Sequence, residues 1–506
     1  MQARYRELPY RTGAFRLTHP ARLGAIARLL GGNAAEPQRA RVLELGCGCG
    51  LNLLPLAAML PEAQFRGVDL TAPDIEEGRR LAAAAGVTNL RLEVADVRAF
   101  VPAAEDFDFV IAHGLFSHVP DDAKAAILAS CARALAPDGV AYISYNTYPG
   151  WKARETLRDL LALRLRGVEG VDERLANARA TLAFLRAALA TADKPQAMAL
   201  LSLVADMEKK DPMVFYHDEL GPFNDPCYLL QFVEWAEEHG LRYLGDAQLS
   251  LMTNPNLPEE TAAAFAAVAP ETVQGEQMMD FVVQQTFRCS LLTRASEAKP
   301  RAWTPDALRG CVVGSQLRAG VAVPDLREGQ RVRFTHPKGA GLETGDAATK
   351  ALLAVLAAAW PRRVAFAEAV AATRRLLASA GIEVPAALEA QAVSVLFDLV
   401  VRQAADFLLS SGLDCATKVP AMPRVDAVAR TLAASGLAVA NRWHENVALT
   451  PPMRALAARL DGTVRPTSAE ESEAAAALSR AGLVAADARL NRGIAAADGI
   501  ERLNGK

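Results

Sequence analysis

Val42-Leu43-Glu44-Leu45-Gly46-Cys47-Gly48-Cys49-Gly50 sets an apolar run directly against a glycine-spaced turn, and Leu51-Asn52-Leu53 opens a helical pattern behind it. The apolar run reads as a buried strand over 42–45. The glycines at 46, 48 and 50 let the backbone turn sharply and approach a ligand with no side chain between. Strand, glycine turn and helix together form the opening unit of an open α/β sheet. The following helix would present unpaired N–H groups and its positive dipole end, which suits a carboxylate or a phosphate. The spacing is G-x-G-x-G rather than the G-x-G-x-x-G of dinucleotide folds, and Glu44 stands just ahead of it. A carboxylate so placed would repel a pyrophosphate and help to hold a cationic, amino-acid-bearing ligand.

Outward from that turn the pattern keeps alternating. Strands are expected at 65–70, 90–94, 107–112 and 140–145, between helices at 52–59, 73–85 and 121–136. Pro137-Asp138-Gly139 reads as a turn. The stretch 151–207 is helix-forming throughout, 227–239 is an amphipathic helix, and 241–249 and 287–294 read as the last strands of the same sheet. Residues 296–305 are polar and carry prolines, which marks a boundary. Beyond it the chain reads as Ala/Leu-rich helices broken by loops at 336–346 and 418–423.

With 506 residues, 51% of them hydrophobic, the chain has material for several cores at roughly 150 residues per domain. Its 55 basic and 58 acidic side chains leave a net charge of −3, which argues against a nucleic-acid partner. No apolar run approaches the ~18 to 20 residues of a membrane span. The arginines at Arg4, Arg6, Arg11 and Arg16 precede no apolar signal core, and seven cysteines, an odd number, read as reduced thiols. A cytoplasmic location follows as the expectation. Cys47 and Cys49 are too close together, and lack two further ligands, to read as a zinc site; no metal is expected.

Two acids extend the pattern of the first turn. Asp69 ends the second expected strand, where a carboxylate accepts both hydroxyls of a ribose, and Leu70 follows it. Asp96, with Val97, lies just past the third, placed to accept from an adenine amino group beside an apolar wall. Either acid alone is an ordinary turn or cap residue. Glu44, Asp69 and Asp96 at three consecutive strand ends describe a nucleoside site.

This set resembles the class I S-adenosylmethionine-dependent methyltransferases over roughly 41–145. The resemblance implies a Rossmann-like α/β sheet with helical insertions, followed by a mainly helical C-terminal domain. It places Glu44, Gly46, Cys47, Gly48 and Gly50 around the methionyl part, Asp69 and Leu70 at the ribose, Asp96 and Val97 at the adenine, and His113 near the sulfur. Further motifs lie outside the nucleotide site. They include Phe15-Arg16-Leu17-Thr18-His19-Pro20, the run Ala112-His113-Gly114-Leu115-Phe116-Ser117-His118-Val119-Pro120, and Tyr145-Asn146-Thr147-Tyr148-Pro149-Gly150-Trp151. With Arg158-Asp159, Phe232-Val233-Glu234-Trp235, Phe287-Arg288, Asn441-Arg442-Trp443-His444-Glu445 and Leu460-Asp461-Gly462-Thr463, these resemble bacterial methyltransferases carrying a methyltransferase regulatory domain. The rickettsial-type protein-lysine methyltransferases belong to that group, and His118 stands where they tend to carry Trp.

On that resemblance the expected division is a cofactor-binding domain at 1–165 and 226–295, a helical insertion at 166–225 serving as a lid or dimerisation region, and a C-terminal domain at 300–506. The cofactor-binding core is expected to be complete once 287–294 closes its sheet. The expected acceptor is a protein lysine, with a small-molecule N- or O-acceptor as the alternative and a nucleotide-sensing module without turnover as the second; a homodimer is compatible with the apolar C-terminal composition. His113, His118, Tyr145 and Tyr148 are the candidates for handling the acceptor's proton, Asn146 for orienting its nitrogen, and Trp151 for walling its alkyl chain. An Asn/Asp-Pro-Pro-aromatic turn, the mark of DNA-base or amide acceptors, is missing after the fourth strand, where His113-Gly114-Leu115-Phe116 stands instead.

Overall fold

The computed structural model describes residues 7–486 except 12, 103–105, 192–194, 254–256, 270–272, 298–299, 322–323, 338, 340 and 410–414. The outer ends of the expected first and last segments, 1–6 and 487–506, lie outside the described residues. Among the described residues no helix is long and apolar enough to cross a membrane. All seven cysteines are buried, and none is in a disulfide.

Seven strands form one sheet: β1 (Arg41–Leu45), β2 (Gln64–Asp69), β3 (Leu90–Val94), β4 (Phe107–Ala112), β5 (Leu135–Asn146), β6 (Leu241–Asp246) and β7 (Phe287–Arg294), in the order β3-β2-β1-β4-β5-β7-β6. The first five run parallel, and β7 enters antiparallel to both β5 and β6. From β1 the chain builds outward to β3 and then returns to β4. That reversal opens a crevice at the carboxyl ends of β1 and β4, where ligands bind in open α/β sheets.

The two faces of the sheet separate by strict alternation. Phe109, Ile111 and Tyr142 face one core; Val110, Ala112, Ile143 and Tyr145 face the other. The second face is covered by helices Asp121–Ala134 and Leu229–Glu238, through Ile127, Cys131 and Phe232. The first face packs on helix Pro20–Leu29, whose Leu23 and Ile26 are fully buried. That core continues without interruption into Leu352, Phe366, Leu396 and Phe407. Helices Leu53–Met59 and Ala72–Ala84 likewise share a core with helices Ala427–Ala434, Pro451–Ala457 and Ala469–Arg480. The residues after 300 therefore cover one face of the sheet and the outer side of helices Leu53–Met59 and Ala72–Ala84. A third junction is polar: Asp406 pairs with Arg22 at 2.6 Å and with Arg363, all three side chains being buried.

Three expectations need correction. Helix Asp121–Ala134 stops early, and Pro137-Asp138-Gly139 lies inside β5 rather than in a turn. Leu135 already pairs with Phe107, and a bulge between Phe107 and Phe109 absorbs the misfit residues. Strand β6 ends at Asp246 because its carboxylate accepts the N–H of Gln248 at 2.8 Å, which turns the chain into Leu249–Leu251. The expected loop at 336–346 contains a strand, Gly341–Thr344, paired antiparallel with Val332–Thr335 around the buried Phe334. The region is otherwise helical, as expected, with short strands between its helices.

Helices Trp151–Arg164, Val171–Leu189 and Pro195–Glu208 pack on one another around Leu157, Leu161, Leu182 and Met207. Arg158 ties this unit to the following turn by donating to the carbonyls of Asp218, Glu219 (2.6 Å) and Gly221 (2.9 Å).

Candidate active site

A cavity of about 590 Å³ occupies the crevice at the β1/β4 reversal. Its floor is the glycine turn. Gly46 and Gly48 adopt φ of +73° and +53°, a region in which only glycine is unstrained. A Cβ at Gly48 would project into open space, so the backbone itself is the surface offered there. The turn is tied to β2 by Asp69, which accepts the N–H of Gly48 at 2.9 Å and that of Thr71 at 2.8 Å. Each carboxylate oxygen keeps further lone pairs for a ligand.

Glu44, buried at 3% exposure, lines the cavity from the end of β1. Its Oε1 accepts from Asn52 Nδ2 at 2.9 Å, while Oε2 has no partner among the described residues. Burial raises this carboxyl to about 8, with the nearby Asp69 adding to the shift and Asn52 opposing it. Asp74, on the same wall, is raised to about 6 for the same first cause. A carboxyl such as Glu44, kept largely neutral chiefly by burial, is poised to ionise against a cation. S-adenosylmethionine brings an ammonium and a sulfonium, and this donor set fits it: Glu44 and the glycine turn for the amino acid, Asp69 for the ribose hydroxyls.

Leu70, Asp96 and Val97 line the adjoining wall. Asp96 is held by Arg98 at 2.6 Å, which keeps its carboxyl below the usual range. It would have to share that partner to accept from an adenine. Cys47 also lines the cavity, and burial raises its thiol well above the ordinary value, so it is no nucleophile. Gly50 does not line the cavity: it turns the chain at φ +74° behind it, against Leu92.

Of the acceptor-handling candidates, four share this cavity. His113 lies between Phe15, at 3.7 Å between ring centroids, and Tyr142, whose hydroxyl meets its Nδ1 at 2.9 Å. Burial lowers it to about 3, so it is a neutral imidazole and a weak base. His118 donates from Nδ1 to the Phe223 carbonyl at 3.3 Å, which leaves the Nε2 lone pair uncommitted by that bond. Asn146 is held by Asn224 at 2.9 Å, and Trp151 is buried with the Arg154 guanidinium 5.2 Å from its ring centre. Tyr145 is not among them. Its side chain sits on the opposite face of the sheet, stacked on Phe232 at 4.2 Å with its hydroxyl 2.9 Å from Ser290. Tyr148 also lies off the cavity and donates to Glu155 at 2.5 Å.

Several wall residues were not expected. Arg154 lies one helical turn from Trp151, a relation legible in the spacing. Phe15 belongs to a motif quoted above but carried no role. His217 and Asp218 arrive through the Arg158-clamped turn and Lys210 through its pair with Glu219, relations for which no local pattern exists. Asn52 was read only as the start of a helix.

The family described as "Methyltransferase domain" matches residues 42–139, and "Predicted methyltransferase regulatory domain" matches residues 211–294. The uncharacterized protein RP789 of Rickettsia prowazekii (strain Madrid E) is 34% identical over 288 residues, 57% of this chain and 52% of its own length. Protein RP028 of the same strain is 31% identical over 240 residues, 47% of this chain and 96% of its own. The chain thus spans about half of the first relative and nearly all of the second. The structure of PKMT2 from Rickettsia typhi in complex with AdoHcy superposes with a TM-score of 0.81 at 25% identity, covering 98% of this chain and 99% of that one.

Proposed function

Because the chain belongs to the S-adenosylmethionine-dependent methyltransferases of the rickettsial type that carry a methyltransferase regulatory domain, we propose that it methylates lysine side chains of a protein. The observation that carries the reading is one continuous cavity. Its lining includes both the cofactor candidates Glu44, Gly48 and Asp69 and the acceptor candidates His118, Asn146, Trp151 and Asp218. S-adenosylmethionine, when bound, would supply the electrophilic methyl group, its sulfur being the leaving group that keeps the electron pair. What the chain supplies is alignment and exclusion of water.

A lysine acceptor enters as an ammonium and must lose a proton before its nitrogen can attack. Asp218 and the indole of Trp151 suit the cationic form, the latter through its ring face. The Asn146 amide oxygen and His118 Nε2 are acceptors for the N–H bonds of the amine and orient its lone pair. His113, neutral across the physiological range, shapes the wall beside the methyl group and does not take the proton. The regulatory segment reaches the same cavity through Val214, His217, Asp218, Thr286 and Phe287, which supports acceptor selection by surfaces beyond the nucleotide site. On this reading the enzyme works in the bacterial cytoplasm, where thiols stay reduced.

The test follows S-adenosylhomocysteine formation by the full chain with lysine-rich polypeptides, free amines and phenols in parallel. Turnover confined to polypeptides supports the reading. Comparable turnover on a free amine or phenol assigns a small-molecule acceptor instead.

A further inference from the structure

Asn52 occupies the N-cap position of helix Leu53–Met59, where an asparagine side chain ordinarily caps the helix, yet it makes no such bond. Its amide is committed elsewhere, and it is buried at 4% exposure. Nδ2 donates to Glu44, and Oδ1 accepts the N–H of Phe15 at 3.0 Å and the Thr18 hydroxyl at 3.1 Å. That main-chain donor fixes which end of the amide is oxygen. His444 Nε2, 2.8 Å from the same oxygen, must therefore be the protonated nitrogen and the donor. His444 is fully buried and lies 392 positions along the chain from Asn52.

The C-terminal turn is built to deliver that ring. His444 holds φ +61°, a conformation costly for any residue with a Cβ. The turn is stitched by Asn441, whose Oδ1 accepts the N–H groups of Trp443 and Glu445, each at 2.9 Å. Asn446 closes on the N-terminal segment from the same side, exchanging hydrogen bonds with Ala14 at 2.9 and 3.1 Å. That segment carries Phe15 onto His113 in the cavity wall.

We propose that His444 is a positioning residue of the cofactor site, acting through Asn52 to set the Glu44 carboxylate, so that seating of the C-terminal region and occupancy of the pocket are coupled. The inference rests on the reading of this cavity as an S-adenosylmethionine site. A strained, buried, non-glycine residue holding a diverted N-cap asparagine against a half-satisfied carboxylate is more than packing requires. Coupling of this kind is reciprocal: what the turn does for the ligand, the ligand does for the turn.

The groups facing this chain of contacts are known from every side. Asp69 and Cys47 face Glu44; His19 faces His444 edge-on at 5.9 Å between centroids; and Arg22, Arg363 and Asp406 lie behind His19. Burial holds His19 at about 3 and His444 well below its ordinary value, so neither titrates where Glu44 does. Loss of the Asn52 bond removes the one interaction that favours the Glu44 carboxylate. The acid-side midpoint of cofactor affinity then moves to higher pH.

Binding of S-adenosylhomocysteine to the full chain is measured against pH for wild type, His444→Phe, which keeps ring volume without the donor, and His444→Gln, which restores a donor. Expected are a loss of at least tenfold in affinity with an upward midpoint for His444→Phe, and substantial recovery of both in His444→Gln. A folded His444→Phe protein with wild-type affinity and midpoint overturns the proposal. Hydrogen exchange on the wild-type chain decides the matter independently of folding: saturating ligand should slow exchange in 441–446, and unchanged exchange there overturns the coupling. Failure of the wild type to bind at all strikes instead at the reading of the site.

Discussion

Asn52 donates a hydrogen bond to Glu44 across the mouth of the glycine turn, at 2.9 Å, and leaves the second carboxylate oxygen of Glu44 without a partner. On the proposed reading, the pair forms part of the site for the ligand's ammonium. Burial holds Glu44 at about 8, so at pH 7 most molecules carry it protonated. An ammonium arriving beside it expels that proton. Binding of S-adenosylhomocysteine at pH 7 should therefore release a proton from Glu44, less the small fraction taken up by neutral ligand amine, and affinity should rise with pH up to about 8. Above that, the ligand amine, with an ordinary pKa of about 8, loses its own charge and affinity falls again. Calorimetry in two buffers of different ionisation enthalpy reads the proton count. In Glu44→Gln the release should vanish; a buffer-independent heat in the wild type would show that Glu44 does not meet the ammonium.

Asp69→Ala should cost more affinity than Asp96→Ala. Asp69 accepts Gly48 and Thr71 N–H groups as well as facing the ribose position, so its loss loosens the turn together with the ligand. Charge-assisted bonds of this kind are each worth about 1.5 to 3 kcal/mol. Asp96 is already spent on Arg98, and the adenine keeps its apolar contact with Val97. Titrations giving equal affinity for Asp69→Ala and wild type would remove Asp69 from the site.

Asn146→Ala should lower turnover while leaving cofactor affinity within a few-fold. Tyr145→Phe should leave turnover unchanged and cost about 1 kcal/mol of stability, through its lost bond to Ser290. Steady-state rates and thermal melts of the two variants separate these roles. A turnover loss in Tyr145→Phe equal to that in Asn146→Ala would contradict the assignment of their side chains to opposite faces.

The distinction between these two neighbours was legible in the sequence and shows what a motif hides. Side chains alternate along a strand, so Tyr145 shares a face with Ile143, while Asn146 shares one with Tyr142 and Ser144. Reading Tyr145-Asn146 as a block joined them wrongly; counting by two from the apolar Ile143 divides them. The glycine turn and Asp69 were legible because each depends on one residue and its neighbours in a strand–turn–helix unit. His444 was not, since its partner is 392 positions away and only tertiary packing brings them together. The same limit hid the dependence of the sheet on the C-terminal region. Composition marks 351–360 as apolar, and nothing in composition says which face those residues cover.

That packing reverses one expectation with a direct consequence. A chain ending after Ala295 would expose the cores shared by the sheet domain with Leu352, Phe407 and Leu432, and would leave Arg22 buried without Asp406. It should lose cooperative unfolding and cofactor binding along with protein methylation. Near-ultraviolet circular dichroism and calorimetry on the truncated chain check this. A well-folded fragment that binds S-adenosylhomocysteine as the full chain does would restore the view that 1–295 is complete in itself.

The central claim, methyl transfer through this cavity to protein lysine, is tested most directly by following the methyl group to its destination. The full chain is incubated with methyl-labelled S-adenosylmethionine and a bacterial protein extract, beside an Asp69→Ala control, and the protein fraction is hydrolysed for amino-acid analysis. The account predicts label in N-methylated lysine with the wild type and little with the control. Label recovered in a low-molecular-weight product, with none in lysine, would contradict it.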